Sequence, residues 1–520
     1  PGAPNAGLPQ LPNLETHLVV ADSLAGVKVS DGCIILKELE AIREQLMNCR
    51  AEYINAHSRA RKIALRDRDA ALRKQLTDHF KSIYMEGADK LAEWNPYDPT
   101  LASPIFDAQW MFGFKDFDIV IGNPPYVQIK KKVYSEAQFP WSEGRDKGKQ
   151  NLYKLFVEHA YNLAKPNGTV CLIVQSSLMC DLSATATREL LLRNTRILQV
   201  IEFPKDTDDP EVKVFKSVLT GTCIALFRKE KAPDAEFKLS IHNTLRTIND
   251  LQFSMLSQHA LLKGGRGLEF PLIRSGEESL FLKMRTAFRP MSEIMEDKRQ
   301  GNINTVELPK IQSSVPTSIR IAKGENVHRY RLEGDLMYGK ENEKVLALAK
   351  DNEQWHPVIS QNITGTTDKN RIHACRAECR KTRIVFLHSA NIAYLPSPER
   401  ARLAVGLLNS SLLDWVFRTT STNNHVNLYE LEALPIPSEE VLNSADGQAL
   451  EALVERAEAG EDVQSQIDAV VYRLYGLTED EIELVERSFG RTTKPLAVEA
   501  PAPTRSVAEN ADVPEYLRWG

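Results

Sequence analysis

The sequence predicts an α/β fold in which a partial doubly wound domain with a helical insertion is followed by an α+β domain. Short apolar strands alternate with helical patterns through residues 95–232, and this alternation is typical of a doubly wound sheet. Apolar residues spaced by four and three fill residues 32–94, which favours helices. Beyond Lys229 the alternation stops, so we expect the second domain to begin near there.

These patterns divide the chain into six predicted segments. They are the start of the truncated first domain (1–31), the helical insertion (32–94), the main part of the first domain (95–232), the α+β domain (233–445), C-terminal helices (446–490) and a disordered tail rich in Pro, Ala and Thr (491–520). The first domain is expected to be truncated because the chain begins at Pro1 without a methionine, as a piece of a longer polypeptide would.

The composition bounds the class of protein. Of the 520 residues, 42% are hydrophobic and 26% are charged, which is ordinary for a globular protein of about two to four domains. The seven cysteines are scattered and no apolar run could span a membrane, so we expect a cytoplasmic protein without a membrane partner. A net charge of -5 excludes general binding of polyanions, and any nucleic-acid contact must come from local basic patches.

A short apolar strand, Thr16–Ala21, ends at Asp22. An acidic residue at the end of a strand is a common place to hold a nucleotide-like ligand, although Asp22 could equally be a helix N-cap.

The insertion that follows is predicted to be an antiparallel helical hairpin or a short coiled coil. Its four-and-three repeat includes Leu46, Cys49 and Tyr53. Its basic face is expected to be a solvated surface rather than a DNA contact, and comprises Arg59, Arg61, Lys62, Arg66 and Arg68.

The strand Ile119–Ile121 breaks at Gly122 into the turn Asn123-Pro124-Pro125-Tyr126. Proline has no N–H, so both prolines offer carbonyl oxygens only, and the residue before a proline is held extended. The side-chain oxygen of Asn123 adds a further acceptor. This group of acceptors suits a nitrogen that carries two N–H donors, and Tyr126 offers a flat face on which a planar group can stack.

This turn resembles the Asn-Pro-Pro-Tyr motif of methyltransferases that use S-adenosylmethionine. The motif order resembles above all the gamma-type DNA adenine-N6 enzymes, as in Eco57I-like type IIG restriction-modification enzymes. The resemblance implies a Rossmann-like methyltransferase domain in which Asn123, Pro124, Pro125 and Tyr126 form the catalytic motif. It also implies that Asn123 and Pro124 hold the target amino group while Tyr126 stacks on a flipped base. The same motif serves ribosomal RNA and protein-glutamine methyltransferases, so it does not fix the substrate.

Three further site residues follow from the resemblance. Phe215, in the segment Val214–Phe227, matches the aromatic that stacks on the opposite face of the extruded adenine. Asp22 matches the carboxylate that binds the adenine amino group of the cofactor, and Phe156, in the helix that opens at Asn151, matches an aromatic of the cofactor pocket. A simple core role stays open for Phe215 and Phe156.

One part of the family pattern is missing from the sequence. No glycine-rich loop of the form Asp/Asn-Pro-x-x-Gly-x-Gly precedes Asp22. In the family this loop binds the methionine end of S-adenosylmethionine. We therefore expect that an upstream segment or a partner chain supplies the loop, and that any nuclease domain would also lie there.

Double-stranded DNA is the expected partner. Lys130, Lys131 and Lys132 open a polar loop that could hold phosphates or close over the base, or could be disordered in solvent. The stretch from Arg371 to Arg383 has five basic residues against one acid, and its DNA-binding candidates are Arg376, Arg380 and Lys381. The spacing of His373, Cys375 and Cys379 is only loosely that of metal ligands, so no metal site is expected.

The region around Leu407–Leu413 and Leu434–Pro437 resembles the end of a target-recognition domain. Together these features predict a site-specific DNA adenine-N6 methyltransferase, the modification and specificity part of a restriction-modification or phage-defence enzyme. Two alternatives stay open. One is a DNA-specificity subunit without activity of its own, and the other is an RNA or protein-glutamine methyltransferase.

Overall fold

The fold is taken from a computed structural model. It describes residues 13, 15–26, 37–82, 94–98, 100–103, 105–130, 134, 136–148, 150–205, 214–215, 220–264, 267–301, 303–365, 368–379, 382–422 and 424–491. Lys131, Lys132, Arg380, Lys381 and the predicted tail beyond residue 491 lie outside the described residues.

The insertion is a helical hairpin, as the sequence predicts. The strand predicted over Thr16–Ala21 is not formed in the described residues, where a 3-10 turn (Glu15–His17) is followed by an isolated bridge between Ala21 and Ser103. Helices α1 (Lys37–Ile54) and α2 (Arg59–Ser82) pack along each other around Leu46, Cys49 and Leu76. The chain reverses at residues 55–58, and the backbone N–H of Arg61 donates to the Ser58 hydroxyl to cap the second helix. The apolar repeat that runs through this break therefore belongs to two helices rather than one.

A buried ion-pair network joins the hairpin to the segment before the strand Phe117–Gly122. The Asp69 carboxylate accepts from Arg50 Nε at 2.7 Å and from Arg73 Nε at 2.6 Å. Arg50 also donates to the backbone oxygens of Trp110 and Met111 in helix α3 (Ala108–Phe112). The network fixes the hairpin against α3 because buried charges must keep their partners.

The first domain is built on a six-stranded sheet. Its elements in chain order are β1 (Phe117–Gly122), β2 (Gln128–Ile129), β3 (Gln150–Asn151), α4 (Leu152–Leu163), β4 (Ala164–Gln175), α5 (Ser177–Cys180), a 3-10 turn (Leu182–Ala184), α6 (Thr185–Asn194), β5 (Arg196–Phe203), β6 (Thr222–Arg228), β7 (Glu236–Ser240) and β8 (Ser254–Ser257). The strand order is β1-β4-β6-β5-β7-β8, and β2 and β3 form a separate pair. The pairs β1–β4 and β5–β7 are parallel, and the other pairs of the large sheet are antiparallel.

The sheet extends beyond residue 232, where the sequence predicts the domain to end. Strand β7 pairs with β5 and adds β8 outside it. Phe237 and Leu239 are buried while Lys238 between them is exposed, which is the period-two pattern of a strand. The change of composition after Lys229 therefore marks a change of strand direction and not the end of the sheet.

Strand β1 is an edge strand with exposed apolar side chains. Among the described residues it pairs only with β4, and Ile119 and Ile121 are 64% and 77% exposed. In β4, by contrast, Val170, Leu172 and Val174 are buried. Strand β1 therefore presents apolar side chains to solvent on one face.

Residues 258–437, which we call the second domain, contain two four-stranded sheets. Its elements are α7 (Gln258–Lys263), α8 (Glu278–Thr286), β9 (Arg289–Pro290), a 3-10 turn (Met291–Ile294), β10 (Asp297–Gln300), a 3-10 turn (Thr305–Glu307), α9 (Leu308–Ile311), β11 (Gln312–Ser313), β12 (Ile319–Ala322), a 3-10 turn (Gly324–Asn326), β13 (Met337–Gly339), α10 (Glu343–Gln354), β14 (His356–Gln361), β15 (Ala374–Arg376), β16 (Arg383–Phe386), β17 (Ala390–Leu395), α11 (Pro398–Leu408), α12 (Ser411–Arg418), α13 (Leu428–Glu432) and β18 (Pro435–Ile436). The sheet orders are β10-β17-β14-β15 and β11-β13-β12-β16, and β18 pairs with β9.

The chain then ends its described part in helices α14 (Glu439–Leu442), α15 (Ala445–Glu458), α16 (Gln464–Leu474) and α17 (Glu479–Ser488). The apolar side chains of Ile467, Val470, Val471, Leu474 and Tyr475, in and just after α16, are buried. A capping box between Thr478 and Glu481 begins α17. None of the described helices is long and apolar enough to cross a membrane.

Candidate active site

The predicted catalytic turn follows β1 directly, at the carboxyl end of a parallel strand pair. Gly122 is opposite Leu172 of β4, and a Cβ on Gly122 would lie 3.0 Å from the Leu172 side chain. The glycine thus lets the two strands stay close where the turn begins. Pro124 is buried, while Asn123 and Pro125 are exposed. The turn is anchored by one proline and presents Asn123 outward.

Tyr126 is fixed on the neighbouring strand. Its hydroxyl donates to the backbone oxygen of Ile173 in β4 at 3.2 Å. Burial, with a smaller contribution from the Cys223 thiol, raises the pKa of Tyr126 to about 12. The phenol is therefore a neutral donor at physiological pH, and its ring orientation is set by β4.

Phe215 lies against Tyr126, as the resemblance implies. The two ring centroids are 6.3 Å apart and the planes meet at 74°, an edge-to-face contact. A flat base held between them needs parallel rings roughly 7–8 Å apart, two carbon contact distances. The structure therefore brings the two predicted stacking residues together in a closed arrangement that must open and rotate to admit a base.

A polar pair at the end of β4 borders the turn and was not predicted as part of the site. The Asn151 amide donates to Gln175 Oε1 at 2.8 Å, and Gln175 Nε2 lies 3.5 Å from the Thr220 hydroxyl. The Asn151 side chain also caps α4. The sequence signal was Gln175 itself, because a glutamine at the end of an apolar strand can bridge two elements.

The two predicted cofactor residues lie around one apolar cluster. Leu24, two residues after Asp22, is buried with Phe139 and Leu155, and Phe156 packs against them. Asp22 is exposed at the end of its segment, where Oδ1 accepts from the backbone N–H of Leu24 at 3.2 Å. No α-helix begins there in the described residues, so the N-cap alternative for Asp22 does not hold.

Tyr134, which the sequence did not indicate, lies beside Asp22. Burial, followed by the charge and hydrogen bond of Asp22, raises its pKa. Its ring packs against the same cluster as Phe156 and meets Phe139 edge to face. Asp22, Tyr134 and Phe156 together make an acidic and aromatic corner, which β2 and β3 connect to the turn through Ile129.

The loop after the turn is ordered where it is described. The buried Glu158 carboxylate accepts from the backbone N–H groups of Trp141 and Ser142 at 3.1 and 2.8 Å. Asp146 accepts from the backbone and hydroxyl of Thr187, and Arg145 pairs with Glu189 and lies over the Trp141 ring. Lys130 is exposed at the start of this loop. Residues 136–148 are therefore neither disordered nor a free basic strip.

The basic patch predicted between Arg371 and Arg383 is largely neutralised. Arg376 forms a two-point ion pair with Glu458 of α15, with both bonds at 2.6 Å, and both side chains are mostly buried. Arg383 pairs with Glu353, and Arg371 is buried over the Phe417 ring. Arg376 is therefore not the free cation that the local charge count indicates, because its acidic partner lies 82 residues away in the sequence.

The cysteines of the same stretch belong to a core. Cys375 and Cys379 are buried in the apolar cluster between the two sheets of the second domain. Among the described residues no three His, Cys, Asp or Glu side chains converge as metal ligands.

Residues 28–208 match the family described as Eco57I restriction-modification methylase. This part of the chain is related to restriction-modification methylases. The matched stretch includes the turn at Asn123–Tyr126 and Phe156, and it leaves out Asp22 and Phe215.

Relatives of this methylase-like chain are distant. A candidate type II restriction enzyme and methyltransferase of Methanocaldococcus jannaschii is 22% identical over 352 residues, which are 64% of this chain and 28% of that protein. The DNA complex of the type IIL restriction-modification enzyme MmeI is 13% identical, with a TM-score of 0.42, and the match covers 83% of this chain and 64% of MmeI. The type IIG restriction endonuclease BpuSI is also 13% identical, with a TM-score of 0.32, and the match covers 76% of this chain and 56% of BpuSI. The chain thus spans between 28% and 64% of the length of these three proteins.

Proposed function

We propose that this chain is the modification and specificity part of a restriction-modification enzyme and acts as a DNA adenine-N6 methyltransferase. The observation that carries the proposal is the turn Asn123–Tyr126 at the carboxyl end of β1, with Phe215 in contact with Tyr126. Ligands of open α/β sheets bind at this edge, and the turn lies within the stretch related to methylases.

The turn is suited to hold an amino group. The Asn123 side-chain oxygen and the Pro124 carbonyl are two acceptors for the two N–H bonds of an exocyclic amino nitrogen. No other described residue hydrogen-bonds the Asn123 side chain, which is exposed. Two bonds of this kind localise the nitrogen lone pair and aim it, and catalysis then rests on orientation and charge complementarity rather than on a strong base.

Tyr126 and Phe215 would hold the ring of the flipped adenine. Separating the two rings and unstacking the base both cost free energy, the second by about a few kcal/mol. Base–aromatic stacking recovers about 1–3 kcal/mol per base. The Tyr126–Ile173 hydrogen bond keeps one ring fixed, so Phe215 is the ring that moves.

The residues present fit one end of S-adenosylmethionine. Asp22 offers a carboxylate to the adenine amino group, and Phe156 and Tyr134 offer apolar ring surface beside it. The bound cofactor would supply the electrophilic methyl group. The sequence before Asp22 offers no glycine-rich loop for the methionine end.

The open side of β1 is where we place the missing half. Among the described residues β1 pairs with β4 alone, and the edge of a sheet offers its backbone groups to a further strand. An upstream segment or a partner chain that carries the glycine-rich loop would add there and bring the loop to the same sheet edge as Asn123. The same open edge favours the second candidate function, a specificity subunit that recognises DNA without methylating it.

The test is methyl transfer from labelled S-adenosylmethionine by the chain together with a segment that carries the loop. Duplex DNA, RNA and protein are offered in parallel, and modified nucleosides are identified by mass spectrometry. We expect N6-methyladenine in DNA only. Label in RNA or in glutamine would instead support the rival methyltransferase, and DNA binding without any transfer would support the specificity subunit.

A further inference from the structure

The sheet β11-β13-β12-β16 of the second domain carries a row of polar side chains on one face. Ser313 is opposite Tyr338 in the antiparallel pair β11–β13, and Tyr338 is opposite Arg320 in the pair β12–β13. Residues directly opposite each other in antiparallel strands share a face, so the three side chains stand side by side. All three are half-buried rather than covered.

The guanidinium group of Arg320 is held in place and is available to a ligand. Its guanidinium carbon lies 4.0 Å from the centroid of the Tyr338 ring, and Nη1 donates to the backbone oxygen of Thr317 at 2.7 Å. No carboxylate in the described part of the chain pairs with it. Arg299, Arg376 and Arg383 of the same domain all have carboxylate partners.

The segment from Ser313 to Ser318 forms a tied loop beside this arginine. The Ser313 hydroxyl donates to the Val315 oxygen at 2.8 Å, and the Thr317 hydroxyl donates to the Gly339 oxygen at 2.6 Å. Glu341 is occupied by the N–H and hydroxyl of Ser318, which lowers its pKa. Val315 is 62% exposed at the tip. The loop is therefore held in one conformation beside Arg320, whose positive charge is balanced by no carboxylate in the described residues.

We propose that Arg320, stacked on Tyr338, reads a guanine in the major groove of duplex DNA. This inference rests on the proposed function and names one residue that determines its sequence specificity. A planar guanidinium held at one nitrogen keeps further N–H groups for a two-point bond to guanine O6 and N7. Strands β12 and β13 are the two central strands of their four-stranded sheet, so Arg320 would reach the groove from the face of the sheet, beside the exposed loop that ends at Ser318. A freely moving lysine would instead fit a phosphate contact, which carries no sequence information.

The experiment selects from a pool of duplex DNA with randomised positions, using the full chain and sequencing the bound fraction. Wild type is compared with Arg320→Lys, which keeps the charge and loses the fork, with Arg320→Ala, and with Tyr338→Leu, which loses the stack. Arg299→Lys is the matched control, because Arg299 also stacks on a tyrosine, Tyr394 at 4.9 Å, but is paired with Asp297. Thermal melting of each variant verifies folding.

We expect the wild-type chain and Arg299→Lys to enrich a motif that contains at least one fixed guanine. Arg320→Lys should lose the preference at that position by about tenfold or more, the size of one two-point base contact, and keep the slope of affinity against salt. Tyr338→Leu should lose part of it. If Arg320→Lys enriches the same guanine, or if the motif contains none, this inference alone is overturned. If the wild-type chain selects no motif, the recognition part of the proposed function fails with it.

Discussion

Strands β1 and β4 are parallel neighbours with similar apolar sequences, and their surroundings differ sharply. Strand β4 has β1 on one side and β6 on the other, and Leu172 in it is 3% exposed. Among the described residues strand β1 has a neighbour on one side only, and Ile121 is 77% exposed. The described sheet therefore continues on the β4 side, which we call the closed side, and ends at β1, which we call the open side.

The largest expected effect comes from adding a segment that carries the glycine-rich loop to the open side. We expect the chain alone to bind S-adenosylmethionine weakly or not at all and to methylate nothing, while it still binds duplex DNA. A cofactor held at one end loses the aim of its methyl group, and a misplacement of about 1 Å can cost about 10²-fold in rate. A segment with the glycine-rich loop should restore both activities. Calorimetry is the measurement, and micromolar or tighter binding to the chain alone would contradict the expectation.

The hydrogen bond that Asn123 would accept from the target amino group can be removed by one substitution. Asn123→Ala, in the chain supplemented with the loop segment, should lower methylation by about two or more orders of magnitude, as the loss of a preorganised hydrogen-bonding group does elsewhere. DNA affinity should change little because phosphate contacts dominate it. Initial rates at saturating DNA, with binding measured separately, distinguish the two quantities. Normal methylation by the variant would remove Asn123 from the site.

The difference in burial should appear in the stability of the chain. Leu172→Ala removes a buried side chain from β4 and should lower the free energy of unfolding by about 2–5 kcal/mol. Ile121→Ala, on the exposed side of β1, should stay within about 0.5 kcal/mol. Urea unfolding of both variants gives the comparison. Equal destabilisation would mean that the outer side of β1 is already covered in solution.

The smallest effect concerns a carboxyl group buried in the closed side. Burial raises the pKa of Glu202 in β5 from its ordinary 4.5 to about 7, against the bond that the backbone N–H of His242 donates at 2.6 Å. Because the folded pKa is the higher one, the folded state holds the extra proton, and stability from this group falls as pH rises from 4.5 to 7. Glu202→Gln carries no charge at either pH. Its free energy of unfolding relative to wild type should therefore be up to about 3 kcal/mol higher at pH 8 than at pH 5. Urea unfolding at both pH values measures this difference, and a gap independent of pH would assign no titration to Glu202.

Local patterns in the sequence predicted the parts of the fold that depend on neighbours along the chain. The strand and turn at residues 117–126 follow from an apolar run stopped by glycine and two prolines, and the hairpin follows from its four-and-three repeat. Phe215 beside Tyr126 came only from the resemblance, since no periodicity joins residues so far apart. The clustering of Asp22 and Phe156 came the same way, and Tyr134 carried no signal of its own.

What the sequence could not give depends on distant partners. Arg376 lies in a locally basic stretch, but its charge is compensated by Glu458 in a helix that packs on β15 only after folding. A change in composition after Lys229 predicts a domain boundary, whereas β7 and β8 continue the sheet beyond it. In both cases a property of the three-dimensional neighbourhood decided the outcome, and a window of adjacent residues does not contain it.

The buried network of Arg50, Asp69 and Arg73 makes the helical insertion part of one cooperative unit with the approach to β1. Removal of one member would leave uncompensated buried charge, which costs about 3–5 kcal/mol for a buried pair. Arg50 also donates to the backbone of α3, which ends five residues before β1 begins. The hairpin therefore cannot unfold by itself without loosening the start of β1. Protection of the amide hydrogens from exchange should be lost together in the hairpin and in α3, as in a single cooperative unfolding unit.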